Sequence, residues 1–89
     1  MMAYAWIIEE DLIDNGEAVG VWGPRGAVKP SPGEGAKFRL LDGDGEVYAK
    51  GRFVGDAGSE DAFGPLDDYG MPNWGCTSIE YWKNGWKAL

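Results

Sequence analysis

Alternating apolar and polar residues predict that the chain is built from short β-strands. The clearest case is the stretch KFRLLDGDGEVYAKGRF, residues 37–53. Apolar positions alternate with polar ones on both sides of an Asp-Gly-Asp-Gly sequence that is typical of a turn. The pattern therefore predicts a β-hairpin with one face at the centre of the core. That face consists of Phe38, Leu40, Val47, Ala49 and Phe53.

The register of this hairpin follows from matching its apolar positions. A two-residue turn at 43–44 or a four-residue loop at 42–45 places Leu40 opposite Val47 and Phe38 opposite Ala49, so that apolar side chains meet on one face. The other face then holds half of the eight basic residues of the chain. These are Lys37, Arg39, Lys50 and Arg52, and we expect neighbouring acidic strands to neutralise them.

The rest of the chain predicts further short strands joined by glycine-containing turns. We expect strands over residues 3–9, 17–23, 76–83 and 86–89, with a short helical turn at 9–13 as a competing interpretation. Asn-Gly pairs at 15–16 and 84–85 predict tight turns, and the Pro- and Gly-rich residues 23–36 predict a loop. Pro65 and Gly70 can start and end one short helix near 65–69. The predicted fold is mainly β, a compact antiparallel sheet or small barrel of five to six strands in a single domain, 1–89.

Composition indicates a folded chain despite its charge. The 89 residues are 44% hydrophobic and 13% aromatic with a net charge of −7, which leaves enough apolar surface to offset the entropy of folding. The single cysteine, Cys76, cannot form an intramolecular disulfide and suits a reducing compartment. The first residues carry no basic segment of a signal peptide, and no apolar run is long enough to span a bilayer. We therefore predict a soluble, cytoplasmic protein without membrane contact.

Several kinds of chemistry find little support in the residues. Histidine is absent, which removes the commonest general base and zinc ligand and leaves Cys76 without an activating partner. Asp42, Asp44 and Glu46 imitate the start of a calcium loop, but the required glycine and final glutamate are replaced by Val47 and Phe53. The acidic pairs at 9–10 and 67–68 would point to opposite faces of a strand, in a chain with little room for a substrate cleft. We therefore predict no enzyme activity, metal or cofactor.

Negative charge is concentrated in two blocks. Residues 1–20 carry five acids and no base, and residues 55–70 carry another five and no base. Such blocks attract basic surfaces and repel nucleic acid, although keeping a small aromatic-rich domain soluble is the alternative role. The candidate partner-binding acids are Glu9, Glu10, Asp11, Asp14, Asp56, Glu60, Asp61, Asp67 and Asp68.

Five tryptophans are many for a chain of this length, and most should be buried. Trp82 and Trp86 flank a predicted turn, where full burial is difficult, so they are candidate anchors for a partner. A sheet edge or an exposed tryptophan face could also join copies of the chain, which makes a homo-oligomeric structural or assembly protein the alternative function.

Two segments carry a resemblance. KFRLLDGDGEVYAKGRF and FGPLDDYGMPNWGCTSIEY resemble segments of small acidic uncharacterised proteins of phages and high-GC bacteria. No activity or site residue follows from this resemblance. Small acidic phage-type proteins include inhibitors of host nucleic-acid-handling proteins, among them anti-CRISPR proteins, so the first function hypothesis is a protein-binding module, an inhibitor that engages a basic, nucleic-acid-binding surface.

Overall fold

Six antiparallel strands form one open sheet in the computed structural model, which describes residues 4–89. The strands are β1 (Ala5–Asp11), β2 (Trp22–Gly23), β3 (Ala36–Leu41), β4 (Val47–Val54), β5 (Ser78–Trp82) and β6 (Trp86–Ala88). Their order across the sheet is β2-β1-β4-β3-β5-β6, with β2 and β6 at the edges. The mainly β prediction is confirmed, as an open sheet and not as a barrel. Ala3, which was predicted to begin the first strand, lies outside the described residues.

The core lies on one face of this sheet. Side chains alternate between the two faces of a strand, and the predicted apolar positions of the central hairpin do fall together. Phe38, Leu40 and Ala49 are fully buried and Phe53 is 1% exposed, whereas Val47 is only half-buried. The neighbouring strands complete the core with Trp6, Ile8, Ile79 and Tyr81.

The predicted register of the hairpin is wrong. Leu40 lies opposite Ala49 and Phe38 opposite Gly51, with a bulge next to Leu41. The Asp42 carboxylate accepts hydrogen bonds from the backbone N–H groups of Asp44 and Glu46, at 2.9 Å each, and the Asp42 N–H donates to the Glu46 carbonyl. This bonding closes a three-residue loop, and the bulge keeps the apolar side chains on one face in spite of it.

The predicted strand over 17–23 is also wrong, because only its last two residues pair with β1. The Asp11 carboxylate accepts the backbone N–H groups of Ile13, Asp14 and Ala18, which wraps the chain into turns. β1 continues as a strand up to Asp11, so the alternative of a helical turn at 9–13 is excluded. The predicted turns are present, since Asn15 and Asn84 both have positive φ.

The single predicted helix is present, but it is longer than 65–69. Helical structure runs over residues 60–74, as a 3-10 turn, a π-helical turn and a final α-helical turn. The Ser59 hydroxyl accepts the Asp61 N–H at its start, and Gly75 ends it with φ of 71°. Close approach requires glycine at position 64, where a Cβ would lie 2.8 Å from Tyr4 Cζ, and favours it at position 70, where a Cβ would lie 3.0 Å from Leu40 Cδ1. Packing on the core therefore favours a helix where propensity predicts a break.

Candidate functional site

The two faces of the sheet are different environments. The helical segment, residues 60–74, covers the core face, where the Tyr81 hydroxyl donates to the Ala62 carbonyl at 2.7 Å. On β5, Ile79 and Tyr81 are buried, whereas Glu80 and Trp82 point to the other face. Side chains opposite them on β3 follow the same alternation, so that Arg39 lies across from Glu80. We call this second side the open face.

The predicted basic residues lie on the open face and three of them are paired, as expected. Arg39 forms an ion pair with Glu80, with 2.6 Å between nitrogen and oxygen. Its strand, β3, lies between β5, which carries Glu80, and β4, which carries Lys50. Arg52 contacts Glu9 at 3.3 Å, and Lys50 lies 4.0 Å from Glu10. Glu9, Glu10 and Glu80 therefore pair three of the four basic residues of the hairpin, and Lys37 is not paired within the described residues.

Asp68 belongs to a different group of contacts, on the side of the helical segment. Its Oδ2 atom accepts a hydrogen bond from the Tyr4 hydroxyl at 2.8 Å and another from the Trp6 indole N–H at 3.0 Å. Trp6 is 3% exposed, so these donors are held by the core while the carboxylate itself stays exposed. The position of the Asp68 charge is thus fixed by neutral donors, and not by a cation.

Asp14 is held in the same way from the other acidic block. Its carboxylate accepts the Trp74 indole N–H at 2.7 Å. The Trp74 ring contacts the Tyr69 ring at 5.0 Å, and Tyr69 contacts the Trp6 ring at 5.5 Å. A continuous row of aromatic rings therefore joins Asp14 to Asp68, and brings one acid from each acidic block to the same side of the molecule.

The remaining acids of the second block lie on the helical segment or in the turn before it. Asp67 is exposed beside Asp68, Glu60 and Asp61 occupy the first turn of the helical segment, and Asp56 closes the turn before it by accepting the Gly58 N–H. We define the acidic surface as Asp14, Glu60, Asp61, Asp67 and Asp68. Within residues 4–89, none of these five carboxylates forms an ion pair.

The pKa values of two tyrosines beside this surface are raised, by burial first and by the nearby carboxylates second. Burial, followed by the hydrogen bond to Asp68, raises the pKa of Tyr4 to about 12, and the charges of Asp68, Asp61 and Asp67 contribute to the shift. Burial also raises the pKa of Tyr69, to which the charge of Asp11 and then that of Asp14 add. Both hydroxyls are protonated at neutral pH, and that of Tyr4 donates to Asp68.

Asp11 organises the loop that follows β1 and carries Asp14. Burial would raise the pKa of its carboxyl, but the backbone N–H groups of Asp14, Ala18 and Ile13 together hold that pKa below its usual value. Its charge is directed into the loop that carries Asp14. It positions the acidic surface more than it contributes to it.

Trp82 and Trp86 lie on the open face, away from the acidic surface. Their rings meet edge to face with centroids 5.5 Å apart, and Trp82 is 51% exposed. The Arg39 guanidinium stacks on the Trp86 ring at 4.5 Å from its centroid. Of the eleven residues predicted to bind a partner, five therefore form the acidic surface and two lie on the open face as exposed or half-buried tryptophans. The other four are held in ion pairs or turns; they are Glu9, Glu10, Asp11 and Asp56.

Sequence reasoning missed the residues that hold the acidic surface in place. Tyr4, Trp6 and Trp74 donate to carboxylates more than 59 positions away along the chain, and no local pattern reports such contacts. A cavity of about 460 Å³ beneath the loop at 26–34 was also missed; Val28, Pro30 and Val54 are among its lining residues. Cys76 is fully buried, which raises the pKa of its thiol to about 11 and keeps it as an inert core residue.

Comparison of the chain with models of protein families, with curated proteins and with solved structures finds no match. Within residues 4–89, no helix is both long and apolar enough to cross a membrane. Function is therefore inferred from the two surfaces themselves.

Proposed function

We propose that this protein is a non-enzymatic protein-binding module whose acidic surface docks on a basic surface of a partner. The partner is of the kind that binds nucleic acid, and the module acts as an inhibitor by occupying its basic surface.

The observation that carries the proposal is how Asp14 and Asp68 are held. Indole and phenol donors hold their carboxylates in place without neutralising their charge. Glu9, Glu10 and Glu80, in contrast, are paired with basic side chains of the same molecule. Fixed, unpaired charges lose little conformational entropy on binding and attract a basic partner from a distance. The two kinds of carboxylate thus differ in what they can offer a partner.

Affinity capture with the immobilised chain tests the proposal. A protein retained from a cell lysate should be released by added double-stranded DNA, because both compete for one basic surface, and by rising salt, because exposed charges are screened over about 8 Å at physiological ionic strength. Asp67→Lys should lose the captured protein. Asp44→Lys, which changes the net charge equally but lies in the β3–β4 turn, should retain it. Capture that resists both salt and DNA, or that is lost equally in both variants, would contradict the proposal.

A further inference from the structure

The open face carries a second surface that the acidic side does not use. It is formed by Trp82, Trp86, Lys37, Arg39 and Lys50, which we call the tryptophan surface. The Trp86 ring has the Arg39 guanidinium at 4.5 Å, with the ammonium groups of Lys37 at 5.9 Å and Lys50 at 6.0 Å. Cations and exposed indole are thus presented together on one patch of sheet.

The composition of this surface is that of an interface centre. Tryptophan and arginine are the residue types most enriched among the side chains that dominate binding energy. Trp82 remains 51% exposed although its ring already contacts Trp86. Arg39 and Lys50 are paired with Glu80 and Glu10, whereas Lys37 has no ion-pair partner within residues 4–89. The patch therefore keeps a net positive charge, centred on Lys37 beside the indole rings.

We propose that the tryptophan surface docks on the acidic surface of a second copy of this chain. The two surfaces are complementary in charge, and both are present on every molecule. They lie on opposite sides of the sheet, so one contact leaves an acidic surface free at one end and a tryptophan surface free at the other. Such a contact is heterologous, and it joins copies head to tail instead of closing a two-fold dimer.

Local charge decides whether such a contact can form. Two chains of net charge −7 repel each other as a whole. At physiological ionic strength, however, charges farther apart than about 8 Å are largely screened, so the facing carboxylates and cations dominate once the surfaces meet. The acidic surface of a docked copy is occupied, and self-association therefore competes with the binding of any basic partner.

A pair of complementary variants tests the proposal with the purified chain alone. Asp67→Lys damages the acidic surface and keeps the tryptophan surface, whereas Lys37→Glu does the reverse. Sedimentation velocity from micromolar to millimolar concentration should show the wild type associating and each variant weakened about tenfold, as expected for a reversed charge in a contact. An equimolar mixture of the two variants should form a one-to-one complex, because one intact surface of each kind remains.

Two controls separate this contact from others. Trp82→Ala should weaken self-association, whereas Trp22→Ala, at the far edge of the sheet and 47% exposed, should leave it unchanged. Asp44→Lys controls for net charge. Circular dichroism of each variant checks that the sheet is retained.

Three results would overturn the proposal. These are a wild type that stays monomeric at millimolar concentration, an Asp67→Lys variant that associates as well as the wild type, and a mixture of variants that stays monomeric. No partner protein takes part in the measurement, so its failure is distinct from failure of the proposed function. An inhibitor that binds a basic partner need not self-associate, and the reverse also holds.

Discussion

Replacing Asp68 and its neighbour Asp67 by alanine should give very different stabilities. The two substitutions remove the same charge from adjacent exposed positions. Only Asp68, however, accepts hydrogen bonds from Tyr4 and Trp6, at 2.8 and 3.0 Å. Asp67→Ala should therefore change the free energy of unfolding by less than about 0.5 kcal/mol, as is usual for a surface substitution.

The cost of Asp68→Ala comes from the donors that it leaves behind. Hydrogen bonds to a charged acceptor contribute about 1.5–3 kcal/mol each when shielded from water, and less where water can replace the acceptor. Water can reach the Tyr4 hydroxyl, whereas the Trp6 indole is 3% exposed and has few other partners available. We expect a loss of about 1.5 kcal/mol in total, which lowers the Tm of a domain of this size by roughly 6–12 °C. Asp68→Asn should recover part of the loss, since both donors bond one oxygen and an uncharged amide oxygen in that position can accept both hydrogen bonds, each weaker than one to a carboxylate.

Urea unfolding followed by tryptophan fluorescence measures these differences. A double-mutant cycle with Tyr4→Phe should give a coupling energy between Tyr4 and Asp68 of about 0.5–1.5 kcal/mol. Equal stabilities for Asp67→Ala and Asp68→Ala, or a cycle without coupling, would show that the core does not hold the Asp68 carboxylate in place. The same pair of variants then separates charge from position in a binding assay, because Asp67→Ala changes the charge alone.

Three further outcomes follow from buried groups. Gly51→Ala should lower the free energy of unfolding in urea by more than about 3 kcal/mol, because a Cβ there would overlap the Ile7 carbonyl oxygen. Gly43→Ala should lower it by less than about 1 kcal/mol, because no atom lies nearer than 3.9 Å, and similar losses in the two variants would contradict this packing. The pKa of Tyr4 rises on folding from its usual value near 10 to about 12, so its stabilising contribution is complete below pH 10 and is lost as the pH rises through 12. The free energy of unfolding should therefore fall less over this pH range in Tyr4→Phe than in the wild type, and the same pH dependence in both proteins would refute the assignment. Cys76 should resist thiol reagents at pH 8 until urea unfolds the chain, and rapid labelling of the native protein would contradict its burial.

Local patterns were sufficient to identify most of the strands. The period-two alternation of Phe38, Leu40, Ala49 and Phe53 reflects burial on one face, and this burial is found in the folded chain. The register was beyond local reasoning, because it depends on a bulge and on the side-chain bonding of Asp42. The β3–β4 loop is one residue longer or shorter than the predicted loops, and the bulge compensates for this difference. The alternation of apolar and polar residues is the same in both registers, so it could not distinguish them.

The helical segment shows where propensity is overridden. Gly64, Pro65 and Gly70 predict a short helix with early limits, yet helical structure continues over residues 60–74. The glycines let the backbone approach Tyr4 and Leu40 closely, and this packing outweighs the cost of about 1 kcal/mol for each glycine in a helix. Such a reason exists only once the sheet is present beneath the helix.

The sequence by itself determined the fold class, the apolar face of the hairpin and the two acidic blocks, because each depends on neighbours along the chain. Tertiary structure alone decided which carboxylates remain free. Glu9 and Glu10 form ion pairs with Arg52 and Lys50. Asp14 and Asp68 instead accept hydrogen bonds from indole N–H groups that are 60 and 62 positions away along the chain. Opposite charges attract wherever the fold brings them together, and composition cannot say which acids will meet a cation. Packing therefore brought part of each acidic block into one acidic surface and left a tryptophan surface on the other side of the sheet.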